Sequence, residues 1–341
     1  LLHKGALPGE DSNFTDDASK QAAAFVAEAA SVRKDGAPAI LIGELTGERG
    51  RLLSRIAIVN DDMPFLVDSL AQGLSARGID LYRIIHPLMI AERDGKGRLL
   101  NASERKASAL GQAESIIYLE TARLEDEERD DVEAVVRDIM ANVRAATSDW
   151  LKLQVRMGEA ADSLPDGEGA ALLRWLLDNR FTLLAAERIA KDGRRTQKLG
   201  LSSLAKNALI GPSGLERTID WFQDGNGAPL LIKSNSVSPV HRHVLLDLVI
   251  VPVRDNGAIV AIDIIAGLWT SAALMAAPGD VPMMRAQLAR MIDDLGFQAN
   301  GHAGKALVHA MTQLPHDVLI GFSMEEQQRI ALTAMSITDR P

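Results

Sequence analysis

A short polar loop near residue 60 carries residue types that can bind a small molecule at the end of a strand. It follows the apolar, β-branched run 56–59, which is typical of a buried strand, and precedes apolar residues at helical spacing. The loop comprises Asn60, Asp61, Asp62, Met63, Pro64 and Phe65. Backbone N–H groups at a helix N-terminus can hold a carboxylate, and adjacent side chains can hold an amino group. The loop is therefore a candidate site for a ligand with both groups.

A simpler interpretation of the same loop is a capped turn that binds nothing. Asp62 would be the N-cap of the helix, and Pro64 would lie in the first turn, where its missing N–H does no harm. Two adjacent carboxylates would also repel a ligand carboxylate unless the backbone amides dominate. The sequence leaves both interpretations open.

A second polar cluster lies in the later half of the chain, on and after predicted strands. It comprises Lys233, Ser234, Asn235, Ser236, His241, Arg242, Thr270 and Ser271. A basic, polar group at a strand end can bind an anion or an acidic ligand. The alternative is a hydrogen-bonded loop with a surface arginine, in which Thr270 or Ser271 only caps a short helix. Trp269 is expected in the core.

Motifs for catalysis and metal binding are missing from the sequence. There is no phosphate loop, no Gly-x-Gly-x-x-Gly turn after a strand, no His-Glu-x-x-His and no Gly-x-Ser-x-Gly. His241 and His243 would share one strand face with Asp247, but three ligands without a fourth do not make a zinc site. We therefore expect no catalytic residue and no metal in this chain.

Periodicity and turn residues predict a mixture of helices and strands. Helices are expected over 18–32, a stretch before Gly78, 125–147, 150–161, 170–177, 280–295, 304–313 and 323–335. Strands are expected over 39–45, 56–59, 79–91, 115–121, 181–189, 229–234, 244–253 and 258–268. Turns are expected at 47–50, 94–97 and 255–257. Asp280 is expected to cap one helix, and Ser323 with Glu326 to form a capping box.

The order of these elements predicts an α+β protein with several domains. Residues 1–36 would form an arm and a helix, and residues 37–163 a ferredoxin-like split βαβ domain. Its fourth strand is missing from the usual place, and 39–45 is the candidate for it. Residues 164–300 would form an antiparallel-sheet domain with helices after a linker at 164–169, and residues 301–341 a helical connection to a further domain.

Composition excludes several classes of partner. The 37 basic and 46 acidic residues give a net charge of −9, and aromatic residues make up 4%, so we expect no nucleic-acid partner. The chain has no cysteine, which rules out disulfides and thiolate zinc sites and fits the cytoplasm. The apolar stretch 258–277 contains Asp263 and β-branched residues, so we predict a core strand and no membrane partner. The first residue is Leu, and we expect a piece of a longer protein.

The wording NDDMPFLVDS at 60–69, followed by IIHP at 84–87, resembles the N-terminal region of the large, long-chain NAD-specific glutamate dehydrogenases of bacteria. The strand-loop-helix at residue 60 also resembles ACT domains, which often bind amino acids there. His241 and Arg242 match the family's pattern, whereas His243 and the strand 181–189 depart from it. The resemblance implies an ACT-like domain followed by a PAS-like domain.

The resemblance also implies a function. The parent enzyme would convert L-glutamate and NAD to 2-oxoglutarate, ammonia and NADH, and this fragment would be its non-catalytic regulatory and assembly region. The implied partners are the remainder of the parent chain, further copies in a homo-oligomer and an amino-acid effector; NAD would bind only elsewhere in the parent. The alternative is a purely structural assembly module without a ligand. A free-standing enzyme would depend on Lys233, His241 and Asp247.

Overall fold

The computed structural model describes residues 14–47, 50–104 and 111–338, in two compact units. The first unit ends at Arg144 and takes in Pro239–His243 as well; the second contains Ala145–Ser238 and Val244 onwards. The segment 164–169, predicted as a linker, lies within the second unit. Residues 1–13 of the expected N-terminal arm, and the centre of the turn expected at 47–50, lie outside the described residues.

In its described residues, the first unit has three helices and six strands. The helices are α1 (Asp16–Ala30), α2 (Leu66–Ser75) and α3 (Asp126–Ser148), the last of which continues past the boundary at Arg144. The strands are β1 (Ala39–Thr46), β2 (Leu52–Asp61), β3 (Leu81–Ile85), β4 (Leu88–Arg93), β5 (Leu99–Glu104) and β6 (Gln112–Ala122). The strand predicted over 79–91 is thus interrupted at His86 and Pro87, where the proline cannot donate to the ladder.

The strands form one antiparallel sheet in the order β1-β2-β6-β4-β5, and β3 also pairs with β6. β1 is the strand predicted over 39–45, and it lies at the edge beside β2. It therefore supplies the fourth strand of the split βαβ pattern from the front of the unit. Short local connections favour this pairing, because β1 and β2 are neighbours in sequence.

Close packing on the sheet explains the pattern of apolar residues in this unit. Ile56, Ala57, Ile58 and Val59 have no exposed surface, and the apolar face of α2 is equally buried. Gly73 of α2 lies so close to Ile139 of α3 that an added Cβ would come within 2.6 Å of Ile139 Cδ1. Each fully buried aliphatic side chain contributes roughly 1.5–3 kcal/mol to folding.

The predicted N-cap of α2 is wrong. The helix begins at Leu66, and the residue before it is Phe65, with φ of 70° and no side-chain cap. Asp62 instead extends the strand pairing, since its N–H donates to the Ala113 carbonyl at 3.1 Å and its Oδ1 accepts from Ser115 Oγ at 3.0 Å. These contacts are long-range, so local sequence rules do not anticipate them.

The second unit surrounds one sheet with helices. The helices are α4 (Trp150–Asp162), α5 (Glu168–Leu177), α6 (Leu201–Leu204), α7 (Pro212–Gln223), α8 (Ser271–Leu274), α9 (Met284–Asp294), α10 (His302–Thr312), α11 (His316–Leu319) and α12 (Met324–Thr338). The strands are β7 (Phe181–Ala190), β8 (Arg195–Gly200), β9 (Leu230–Val237), β10 (Leu245–Asp255) and β11 (Ala258–Trp269). β8, α6, α7 and α11 were not predicted from the sequence.

The second sheet is antiparallel in the order β8-β7-β11-β10-β9. β7 and β11, its first and last strands along the chain, therefore lie side by side. The tight turn predicted between β10 and β11 is confirmed, with Asn256 and Gly257 both at positive φ. β11 forms the first part of the apolar stretch 258–277, and almost all of this strand is buried. Among the described residues, no helix combines the length and apolar character that crossing a bilayer requires.

One of the two predicted helix starts in the second unit is confirmed and the other is wrong. Ser323 and Glu326 form the capping box, since Ser323 N–H and Oγ both donate to Glu326 Oε2. Asp280 does not cap α9; it ends a 3₁₀ turn at Pro278–Asp280. The residue before α9 is Met283, with φ of 65°, and its N–H donates to Glu168 Oε2 at 2.8 Å. A distant carboxylate therefore replaces the local cap.

Candidate functional site

The candidate loop at residue 60 is built on a pair of carboxylates that face each other across two strands. Asp61 at the end of β2 lies directly opposite Glu114 near the start of β6. Like charges at opposed positions destabilise a sheet unless other groups compensate them. Three guanidinium groups do so here, and we call the five residues the arginine–carboxylate cluster: Arg33, Asp61, Arg93, Glu114 and Arg144.

Asp61 is held between two of these arginines. Arg33 Nη2 donates to Oδ1 at 2.8 Å, and Arg144 Nη1 donates to Oδ2 at 2.7 Å. Burial alone would raise the pKa of Asp61, but the hydrogen bonds and charges of Arg144 and Arg33 outweigh it and lower the pKa. Arg144 Nη2 also donates to Asn60 Oδ1 at 2.9 Å. Asn60 and Asp61 are therefore fixed by the protein itself.

Glu114 is the most enclosed acid of the cluster, with 1% of its side chain exposed. Arg93 donates to both of its oxygens at 2.7 and 2.8 Å, and Arg33 donates to Oε1 from Nε and Nη2. Burial would raise the pKa of Glu114, yet the two arginines lower it below its usual value. A cavity of about 710 Å³ borders Arg33, Arg93 and Glu114. The buried charges along its wall are already paired with one another.

Asp62 and the IIHP segment belong to a second hydrogen-bonded chain. Ser115 Oγ donates to Asp62 Oδ1 at 3.0 Å and lies 3.1 Å from His86 Nε2. Burial lowers the pKa of His86, although the charge of Asp62 opposes it. Because the hydroxyl proton points to Asp62, His86 is not placed to remove it. The three residues do not form the nucleophile–base arrangement of a hydrolase.

The remaining loop residues face the segment Pro239–His243, which belongs to the same unit. The rings of Phe65 and His241 have centroids 4.8 Å apart. The backbone of His241 accepts from Gln72 Nε2 at 2.8 Å and donates to Ser69 Oγ at 2.9 Å. His241 Nδ1 lies 3.2 Å from Asp68 Oδ2. The structure thus brings the end of the first predicted site together with part of the second.

The residues of the second predicted cluster are divided between the two units. His241 and Arg242 belong to the first unit, and the other six residues belong to the second. His241 and His243 are not on a strand, since β10 begins at Leu245 and His241 has φ of 67°. Among the described residues, no group of three or more metal-binding side chains is suitably placed.

Lys233 forms a compact charged group with two aspartates, which we call the lysine–aspartate cluster. Its Nζ lies 2.6 Å from Asp247 Oδ1, on the opposed residue of β10, and also contacts Asp317 of α11. Burial would lower the pKa of Lys233, but its hydrogen bonds to Asp247 and Asp317 raise it. Burial raises the pKa of Asp247 to about 6, in spite of the lysine. Lys233 is therefore occupied, and one carboxylate is left in excess.

The other members of the predicted second cluster have local roles. Ser234 is buried and its Oγ accepts from Ser236 N–H at 2.7 Å, while Asn235 is exposed. Thr270 caps α8, and its Oγ1 accepts from Ala273 N–H at 3.3 Å. Ser271 is the first residue of that helix, and Trp269 is 1% exposed in the core as predicted.

Sequence reasoning missed the arginines that organise the first unit. Arg33 follows α1, Arg93 ends β4 and Arg144 lies near the end of α3, so no local motif links them. One signal was available: Glu114 stands just before the apolar run 116–119 of the same strand, and a buried acid requires a cationic partner. The partner itself could not be identified without the fold.

Residues 13–138 match the family model of the glutamate dehydrogenase ACT1 domain, and residues 281–340 match that of glutamate dehydrogenase helical motif 1. The chain is 28% identical over 310 residues to the NAD-specific glutamate dehydrogenase of Halomonas elongata, and 28% identical over 309 residues to that of Pseudomonas aeruginosa. Each alignment covers 84% of this chain and 19% of the relative, so the chain spans about a fifth of their length.

A solved structure of an RNA-binding light-oxygen-voltage receptor aligns with 85% of this chain and 89% of its own, at 11% identity. Its TM-score is 0.18, which is too low to support any argument about fold or function.

Proposed function

The chain belongs to the glutamate dehydrogenase family, where it corresponds to the N-terminal region of the bacterial NAD-specific enzymes, and from this we propose that it is a non-catalytic regulatory and assembly region. The parent enzyme would oxidise L-glutamate with NAD in the cytoplasm, through a domain outside this chain. An amino acid bound by the first unit would bias that domain by its differential affinity for two states of the enzyme. The second unit would be a PAS-like domain. The strand order supports this, because β7 and β11, the first and last strands along the chain, are neighbours inside the sheet.

The observation that carries the proposal is the uncapped start of α2 beside the Phe65 and His241 rings. The helix has no side-chain cap at Phe65, and a ligand carboxylate would accept from the N–H groups of its first turn. The arginine–carboxylate cluster fixes Asn60 and Asp61 on the strand side, which keeps the loop in one conformation. The amino group of the effector would contact Asp62, the second carboxylate of the loop, whose Oδ1 also accepts from Ser115 Oγ.

The alternative, a structural module that binds no ligand, is favoured by a different observation. Asp61 and Lys233 are charged residues of the first and the second predicted site. Both have ion-pair partners within their own units. Under this alternative, the polar residues only stabilise the fold and the surface between copies.

Calorimetric titration and thermal unfolding of the 341-residue chain with the proteinogenic amino acids separate the two functions. We expect one amino acid to bind and to raise the melting temperature with its concentration. Phe65→Ala should weaken binding, whereas Tyr82→Ala, an exposed aromatic in the same unit, should not. Silence towards every amino acid, together with a concentration-dependent assembly in analytical ultracentrifugation, would support the structural alternative.

A test on the parent addresses the proposed reaction. The complete protein should reduce NAD with L-glutamate, and the amino acid that binds this region should change the rate. Phe65→Ala in the complete protein should remove that change and leave the basal rate intact. Loss of the basal rate in this variant would contradict the division between regulation and catalysis.

A further inference from the structure

The second unit contains a cavity of about 640 Å³ that neither the polar clusters nor the proposed effector site uses. Its wall includes one face of α9 together with Trp221 and Phe322. The lining residues of α9 follow at helical spacing, so they lie along a single line on that face: Met283 just before the helix, then Ala286, Gln287 and Arg290. The cavity is large enough for a metabolite-sized ligand.

The chemistry of the wall changes along α9. Met283 is apolar, Gln287 offers a carboxamide one turn further on, and Arg290 brings a positive charge close to the end of the helix. Trp221, Phe322 and Ile320 add apolar and aromatic surface to the cavity. A ligand lying along the helix would therefore meet an apolar region first, then a hydrogen-bonding group and then a cation.

Gln287 is the group that points to a ligand. Its Oε1 is buried and accepts a hydrogen bond from no residue that the structure describes. A buried acceptor without a partner costs free energy, and such groups in native proteins call for an explanation. A ligand hydroxyl or N–H in the cavity would satisfy it.

Arg290 supplies the second specific group. It is exposed at the rim and has no ion pair with any residue of the described ranges, unlike Arg285, which is paired with Glu168. Gln287 and Arg290 are three positions apart, so their Cβ atoms lie about 5–6 Å from each other. A carboxylate on Arg290 and a hydroxyl on the adjoining carbon can reach both side chains at once.

We propose that this cavity binds a small monocarboxylate with an aromatic or branched apolar body and a hydroxyl or amino group next to the carboxylate. Arg290 holds the carboxylate, Gln287 accepts from the neighbouring group, and the apolar body packs against Met283, Trp221 and Phe322. The site lies in the second unit and is independent of the loop at residue 60, so it does not depend on the proposed effector site.

Two glycines support the shape of this cavity. A Cβ at Gly169 would lie 2.1 Å from the Ala228 carbonyl oxygen, and a Cβ at Gly321 would lie 2.7 Å from the Leu231 carbonyl oxygen. Both positions line the cavity, so the backbone segments that form its wall approach each other only because they lack side chains there. The wall is built by close backbone contacts.

Calorimetric titration of the 341-residue chain with four related probes tests the proposal. L-phenyllactate carries all three features, 3-phenylpropanoate lacks the hydroxyl, 3-phenylpropanamide lacks the charge, and 3-phenylpropylamine reverses it. We expect L-phenyllactate to bind with a dissociation constant below about 1 mM. Loss of the hydroxyl and loss of the negative charge should each weaken binding by about five- to tenfold, and 3-phenylpropylamine should not bind.

Matched variants assign the contacts. Arg290→Gln should remove the preference for phenylpropanoate over its amide, and Gln287→Leu should remove the preference for phenyllactate over phenylpropanoate. Arg254→Gln, an exposed arginine in the β10–β11 hairpin, should change neither. Equal binding of the amine, no binding of any probe to the folded chain, or affinities unchanged in both variants would overturn the proposal. Circular dichroism of each variant confirms that it is folded.

Discussion

In both charged clusters, the pKa of the carboxyl groups shifts in the direction opposite to the one that the cross-strand partner alone would cause. In the first unit, Asp61 lies opposite another acid, Glu114, yet the pKa of both carboxyl groups is lowered. In the second, Asp247 lies opposite Lys233, a favourable partner, yet burial raises its pKa to about 6. The cross-strand pair therefore does not decide the charge state of these acids.

The number of cations around each pair explains the difference. Arg33, Arg93 and Arg144 surround two acids in the first cluster, so every buried oxygen accepts from a guanidinium group. Lys233 alone serves Asp247 and Asp317 in the second, and a single ammonium does not compensate two carboxylates that lose water. The first cluster is an assembled structural unit, whereas the second retains a carboxyl group that can change its charge at mild pH.

The largest effect is expected at Glu114. Glu114→Gln leaves Arg33, Arg93 and Arg144 with Asp61 as the one carboxylate of the cluster, and the Arg33 side chain is only 1% exposed. Removing one partner of a buried ion pair costs about 3–5 kcal/mol, because the remaining charge is uncompensated. Urea unfolding at pH 7 measures the loss, and Glu133→Gln, in the exposed pair with Arg137, is the control at about 0.5 kcal/mol or less. Equal effects of the two changes would show that the first cluster is not assembled as described.

A change in the pH dependence is expected from Asp247. Its pKa is about 6 in the folded protein against 3.8 as the ordinary value, so the folded state holds the proton longer than the unfolded state. Its contribution to stability is present at low pH and falls by about 1–3 kcal/mol as pH rises from 4 to 6. Asp247→Asn should remove that part of the slope. Urea unfolding at several pH values measures it, with Asp255→Asn on the same strand as control.

Asp61 and Glu114 should behave in the opposite sense. Their lowered pKa means that stability is present above the ordinary carboxyl pKa and is lost as pH falls through the folded value. Arg144→Gln removes one partner of Asp61 and should cost about 1–2 kcal/mol at pH 7, since both groups are partly exposed. The pKa of Asp61, followed by NMR, should rise in this variant. An unchanged pKa would mean that Arg33 alone sets it; Arg137→Gln is the control on the same helix.

The smallest effect is expected where Asp68 meets His241. Asp68 is 57% exposed, so its contact with the histidine is screened by water and salt. Asp68→Asn should change the free energy of unfolding by about 0.5 kcal/mol or less. A loss as large as that from Arg144→Gln would contradict the comparison, because an exposed ion pair would then contribute as much to stability as a pair of the inner cluster.

Local patterns predicted most helices and strands of both units. The hairpin at Asp255–Gly257, the capping box at Ser323 and the edge strand β1 could all be predicted because neighbouring residues decide them. The errors in helix starts concern α2 and α9, whose expected aspartate caps are replaced by Phe65 and Met283 at positive φ. Both departures involve partners far along the chain: Asp62 N–H donates to the Ala113 carbonyl, and Met283 N–H donates to Glu168.

The candidate sites were harder to predict than the elements. The loop at residue 60 was identified from the sequence. Its ion pairs could not be predicted, because Arg33 and Arg144 lie 28 and 83 positions from Asp61 in the chain. The cavity beside α9 combines residues from four separate segments, and the periodicity of one helix shows only one of its walls.

In both sheets the strand that is synthesised last lies in the middle. β6 joins β1–β2 to β4–β5, and β11 joins β7–β8 to β9–β10. During synthesis, each sheet therefore cannot close until its last strand has left the ribosome, at Ala122 in the first sheet and at Trp269 in the second. Until then its two halves have open edges. A nascent chain that stalls just before either strand would present two unjoined halves, so these two apolar strands are where translation pauses or chaperone capture would have the greatest influence on folding yield.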